Sequence, residues 1–284
     1  MKYKLIFFSI LLFSSGFTYS QRKTKLNTNG KGTLFGNIGY NRSVYSSSDV
    51  NFSSTNYEFV AKGMSFSDNE EEVGIGKYFN SSSPQFNFHL GFFVANKWAI
   101  TLGMDRLNYF SRANQNITLD GAFSPDAHSD FSGPYQNEEV VLNRNQLYLQ
   151  QNGGVNYVRV GLLRVDQLYK SRKAEFAINT IAGVSIGALF SGLDYTFDDY
   201  TVQNVTSLSG FGVSGHLGLR LDLFQHVFLQ MSVSGGLLNQ GNIQLTTSST
   251  AMASHKMGYI SPEISVGFNV FAKPTNGCGT CPQW

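Results

Sequence analysis

Four groups of residues have types and spacing that could do chemistry. Residues 210–224, GFGVSGHLGLRLDLF, set Gly210, Gly212 and Gly215 in a G-x-G-x-x-G pattern. That pattern cradles a dinucleotide pyrophosphate when the glycines follow a strand and open a helix. Ser214, His216 and Glu263 are the residue types of nucleophile, base and orienting carboxylate in a lipid hydrolase. Cys278 and Cys281 form a C-x-x-C pair, a redox or zinc-ligand spacing. Lastly, His89, Asp105, Arg159, His216, Arg220, Asp222 and Glu263 all lie on the polar side of alternating segments. They could form a charge-paired network or, through histidines that titrate near neutrality, a path for protons or ions.

Which chemistry is available depends on the elements that hold these residues. From Phe211 onward Val213, Leu217, Leu219, Leu221 and Leu223 alternate with Ser214, His216, Arg220 and Asp222, which is the period of a strand. The glycines follow the polar stretch NVTSLSG and open no helix, so they read as sites of strand curvature and close backbone packing. Ser214 and His216, two residues apart on a strand, stand about 7 Å apart along it, too far for a direct hydrogen bond. The C-x-x-C pair lacks both a βαβ setting and further ligands. No catalytic residue, cofactor or metal is therefore expected. The acidic run SDNEEE at 67–72 could attract divalent cations, but like-charge runs are ordinarily solvated.

Eight segments alternate in this way. They are TLFGNIGYN from Thr33, QFNFHLGFFV from Gln85, WAITLGMD from Trp98, NYVRVGL from Asn156, FAINTIAGVSIGAL from Phe176, residues 210–223, VFLQMSVSGGL from Val227 and YISPEISVGFNVF from Tyr259. Each is about ten residues long or a little more, the length of a tilted membrane strand. A soluble sandwich also alternates, so connection lengths carry the distinction. They run long, short, long, short: about 40 residues after the first segment, only ANK after the second, and about 40 after the third, with the rest alternating likewise. The expected fold is therefore all-β, a closed antiparallel eight-stranded transmembrane barrel with short periplasmic turns and long extracellular loops. Trp98, Tyr109, Phe110, Phe224, Tyr259 and Phe271, near strand ends, would form its aromatic girdles.

The N-terminus has Lys2 and Lys4 ahead of the apolar run LIFFSILLF and small residues at Thr18 and Ser20, the pattern of a secretory signal peptide. The expected organisation is a signal peptide at 1–20, a periplasmic segment at 21–31, the barrel at 32–271 and a periplasmic tail at 272–284. Removing residues 1–20 lowers the 21 basic residues to 19, equal to the 19 acidic ones. A neutral chain without a clustered basic face argues against nucleic acid as a partner.

The stretches GTLFGNIGYNRSVYSSSDVNF, PQFNFHLGFFVANKWAITLGMDRLNYF, NGGVNYVRVGLLRVDQL and FAINTIAGVSIGALF resemble the small outer-membrane β-barrel proteins of Bacteroidetes, akin in type to the OmpA and OmpX barrels. One departure is Arg106 in GMDRLNY, where that family would carry histidine. The resemblance implies an outer-membrane barrel and no defined activity. The expected role is structural or surface-binding, with a narrow ion or solute channel as the alternative and a lipid-modifying enzyme behind it. Expected partners are outer-membrane lipid and lipopolysaccharide, with an unidentified extracellular ligand recognised by the long loops.

Overall fold

A computed structural model describes residues 27–55, 57–68, 85–123, 133–172, 175–197, 200–246 and 250–271. The expected signal peptide, Cys278 and Cys281, and most of SDNEEE lie outside the described residues. Those residues form strands and turns, with no helix among them. In chain order the strands are β1 (Thr33–Asn41), β2 (Val44–Tyr45), β3 (Ser48–Ser53), β4 (Tyr57–Met64), β5 (Phe66–Ser67), β6 (Phe86–Ala95), β7 (Trp98–Leu107), β8 (Phe110–Ser111), β9 (Gln115–Phe123), β10 (Gly133–Leu142), β11 (Leu147–Lys170), β12 (Phe176–Phe197), β13 (Tyr200–Leu223), β14 (Val227–Gln244) and β15 (Met252–Phe271).

All pairings are antiparallel, and β1, β6, β7, β11, β12, β13, β14 and β15 are neighbours in that order. β1 pairs on one side with β6, from Leu34↔Phe92 to Tyr40↔Phe86, and on the other with β15, from Thr33↔Phe271 to Asn41↔Glu263. The eight alternating segments fall in these eight strands. The expectation of eight strands of about ten residues needs correction in two ways. There are fifteen strands among the described residues, and β11 to β15 run to 18–24 residues each.

Most of the excess length lies at one end, although β11 also runs on at the other, to Lys170 opposite Ala177 of β12. Short turns at Asn96–Lys97 and Phe224–His226 mark what we term the lower end. At the upper end, Val50 to Ser53 of β3 pair with the first turns of β15, and the sheet continues through β4 and β9 to β10. The described parts of the two connections of about 40 residues, expected to be loops, are thus largely strand.

Side-chain polarity reverses between the two ends. In the lower part large apolar side chains point outward and stand exposed, Leu217 at 67% and Val184 at 63%, while Ser185, Ser214, His216 and Ser234 are buried inside. In the upper part the interior is apolar: Phe52, Phe59, Met64, Tyr109, Leu119, Leu149, Leu193, Leu238 and Ile243 pack in one cluster. Phe52 and Phe59 stack with centroids 4.8 Å apart, and Phe66 meets Tyr109 edge-on at 5.3 Å. β15 shows the reversal within one strand. Its inward residues are Ala253, His255, Met257 and Tyr259, followed by Ser261 and Ser265. Its outward residues change from Ser254 and Lys256 to Ile260, Ile264 and Val266.

The aromatic girdle is corrected accordingly. Trp98 and Phe224 are exposed, but Tyr109, Phe110 and Tyr259 are buried, Tyr109 and Tyr259 within the upper core. Gly210, Gly212 and Gly215 lie within β13, so the G-x-G-x-x-G spacing sits in a strand. A Cβ on Gly210 would collide with the Asn239 carbonyl oxygen, and one on Gly212 would lie 3.1 Å from the Tyr157 ring. Close packing between strands accounts for both glycines.

Candidate functional site

The inward polar face of the lower part is the one place where the singled-out residues meet. It is built in levels. At the middle level Arg159 of β11 lies opposite Gly103 of β7, and so does His89 of β6. Gly103 leaves room for the imidazole, since a Cβ there would collide with the His89 ring. Arg159 Nε donates to Asp105 Oδ2 at 2.6 Å, and Arg159 Nη1 donates to Ser185 Oγ at 2.9 Å. His89 Nε2 lies 2.7 Å from Asp105 Oδ1, and its Nδ1 lies 3.1 Å from Asn37 Oδ1. His216 joins through Nδ1, 3.3 Å from Arg159 Nη1, with Gly183 beside its ring. All four members are at least nine-tenths buried.

Glu263 is held apart from this cluster. Its Oε2 accepts from Asn87 Nδ2 at 2.8 Å, and its Oε1 accepts from Ser232 Oγ at 2.6 Å and Ser234 Oγ at 3.3 Å. Arg220 and Asp222 form a third group near the lower end, joined Nε to Oδ1 at 2.8 Å. The guanidinium carbon of Arg220 lies 3.6 Å from the Phe228 ring centroid and 5.3 Å from that of Phe35. Cation–π contact of this kind offsets part of the burial of the charge. Asp222 Oδ2 also accepts from Asn179 Nδ2 at 2.9 Å and from Thr28 Oγ1 at 2.7 Å.

The seven residues therefore form three groups, not one. Thr28 and Asn29, ahead of β1, are buried against the lower group, with Asn29 Nδ2 donating to Asn179 Oδ1 at 2.9 Å. They belong to the segment expected to be periplasmic, and no periodic pattern marks them. Asn37, Asn87, Asn179, Ser185, Ser232 and Ser234 share the polar parity of the seven and were legible as neighbours for that reason.

A hydrolase arrangement is not assembled. Ser214 Oγ lies 2.9 Å from Ser185 Oγ and 3.3 Å from the Tyr157 hydroxyl. His216 bonds to Arg159, and Glu263 to Asn87 and the two serines. Neither Ser214–His216 nor His216–Glu263 is among the hydrogen bonds of the described residues. No group of three or more metal-ligating side chains occurs among them either.

The interior is filled above and below these groups. The upper apolar cluster reaches down to Val155, Tyr157 and Leu189. At the lower end Phe35, Phe93, Leu163, Val165, Ile181 and Phe228 pack together around Arg220. Between them lies one cavity of about 30 Å³ lined by His89, Arg159, His216, Gln230 and Glu263 among others. That volume suits one or two waters.

No family model matches the chain, and no curated protein is detectably similar in sequence. Among solved structures it is similar to the outer membrane protein AlkL in lipid bilayers, at 10% identity and a TM-score of 0.39 over 92% of this chain and 99% of that one. It is similar to OprG from Pseudomonas aeruginosa at 12% identity and a TM-score of 0.37, covering 86% and 98%. It is also similar to Ail of Yersinia pestis at 9% identity and a TM-score of 0.33, covering 84% and 99%. Superpositions this loose fix neither a family nor an activity.

Proposed function

We propose that the chain is an outer-membrane protein in which β1, β6, β7 and β11 to β15 close as an eight-stranded transmembrane barrel, bearing an extracellular extension that binds at the cell surface. The observation that carries this is the polarity reversal. An uninterrupted outward apolar band, from Leu34 and Trp98 through Val184 and Leu217 to Ile260 and Phe268, would be unstable in water and suits hydrocarbon. Pairing of β1 with both β6 and β15 supports closure, which leaves no open edge in the membrane. The first 20 residues would direct secretion and be removed, and the upper end would face outward.

The polar groups act as structural ties. They let a narrow interior hold Arg159 and Arg220 as paired, hydrogen-bonded charges. A conducting path is disfavoured by the packed layers at both ends. Recognition then falls to the outer extension, a role that rests on its position and rigidity.

Insertion into lipid vesicles tests this reading. The folded protein should resist cold SDS, migrate differently after boiling, and leave a planar bilayer without steady conductance. A stable monomer in detergent-free buffer would contradict it.

A further inference from the structure

A polar cleft of about 550 Å³ opens on the outside of the molecule where β14, β15 and β3 meet. Its lining includes Asp49, Asn51, Asn239, Gln240, Ser254 and Lys256. The size falls within roughly the 300–1,000 Å³ range of small-ligand sites.

Two observations define what it would take. The first is height. On β14 the exposed Leu237 lies two residues below Asn239, and on β15 the exposed Ile260 lies four residues below Lys256. The cleft thus begins where the outward apolar band ends, at the level of lipid headgroups. The second is chemistry. Amides and hydroxyls dominate, with one carboxylate, one ammonium and the His255 imidazole, so the lining is close to neutral and both donates and accepts. Sugar hydroxyls, which also donate and accept, match such a lining, and the lone lysine suits a single attached phosphate.

We propose that this cleft binds the saccharide headgroup of an outer-leaflet glycolipid. The inference rests on the outer-membrane reading above and adds a ligand class and a place to it. Asn51 and Asn239 would grip the sugar from the rim.

The test uses the full chain in detergent micelles and in nanodiscs. Native mass spectrometry would follow retention of a phosphorylated glucosamine-disaccharide glycolipid, with phosphatidylglycerol as the anionic control. Tighter retention of the glycolipid is expected, falling at least tenfold in Asn51→Leu/Asn239→Leu. Asn116→Leu, on β9 away from the cleft, should change nothing.

Equal retention by the rim variant and the parent overturns the proposal, as does equal retention of phosphatidylglycerol. Free disaccharide that binds as tightly as the glycolipid would keep the cleft a saccharide site and overturn the lipid as its source. A chain that inserts into bilayers yet ignores the glycolipid contradicts only the cleft. One that inserts into no bilayer contradicts the outer-membrane reading itself.

Discussion

The lower and upper halves of the same strands solve opposite problems. Below, β13 points Leu217 and Leu219 outward and buries His216 and Arg220. Above, it points Thr206 outward and buries Val205. The inner face of the lower half is tied by hydrogen bonds and ion pairs, and that of the upper half by apolar contact. In the proposed membrane setting one sheet passes through two solvents, and each half is stable only if its outer face matches the medium beside it. Polarity alone, with no change of strand or chain direction, marks the boundary between the two halves.

The comparison can be broken hardest from the inside. Asp105→Ala removes the carboxylate that pairs with Arg159 and His89, leaving a buried guanidinium unmatched. We expect a loss of about 3–5 kcal/mol, read from urea unfolding in lipid vesicles. Phe52→Ala opens a cavity beside Phe59 and Tyr195 in the upper core. It should also lose about 3–5 kcal/mol. The two differ in what fails: Phe52→Ala should release hydrogen exchange in β3 and β4 first, while Asp105→Ala should slow insertion of the whole barrel. Identical exchange patterns in both variants would mean the halves are not separable.

From the outside the halves should respond unequally to one substitution. Leu217→Arg is expected to destabilise by roughly 2–4 kcal/mol if it lies near the bilayer midplane. Thr206→Arg, on the same strand and face but above the band, should stay within about 0.5 kcal/mol. Unfolding of both variants in the same vesicles supplies the comparison.

The smallest effect is one of pH and belongs to the upper half. His255 lies inside the upper core, with Nδ1 3.2 Å from Ser48 Oγ and Nε2 3.1 Å from the Tyr109 hydroxyl. Burial pushes its pKa down to about 4 from the usual 6.5. The folded form therefore holds His255 neutral, and the unfolded chain takes up the proton first as pH falls. Stability contributed by the neutral ring is complete above pH 6.5 and declines between 6.5 and about 4. At pH 5.5 the loss should be roughly 1 kcal/mol. Proteolysis of the upper strands should quicken over that window and should not do so in His255→Gln. An unchanged rate in the parent would show that the ring is not held neutral.

How much of this could be read from sequence follows from the same division. In the lower half the alternation is clean, as in Phe86 to Val94 or Ile260 to Val270, and its segments fall in the right strands. The upper half hides for physical reasons. Its strands are short, and register shifts at Ser48/Val50, Gln136/Glu138 and Gln240/Ile243 break the period of two. Its core uses the opposite parity of the lipid face, so on β15 the apolar residues switch from Met257 and Tyr259 to Ile260 and Ile264. Tyr109, Phe110 and Tyr259 then look like girdle residues, although they sit inside. The change of phase at Tyr259–Ile260 was the available signal. In the polar interior, parity identified which residues face inward but not which would touch. Glu263 shares a face with Arg159 yet bonds elsewhere, because its height on β15 sets it beside Ser232 and Ser234 of β14. Thr28 and Asn29 carry no pattern at all, and their burial comes only from the fold.

The central claim is that the outward face of β13 passes from lipid to water between Leu217 and Thr206. Brominated acyl chains quench a tryptophan they touch, so Leu217→Trp and Thr206→Trp in bilayers brominated near mid-chain measure this directly. Our account predicts strong quenching above the native background at 217 and none at 206. Equal quenching at the two positions, or none at either, would contradict it.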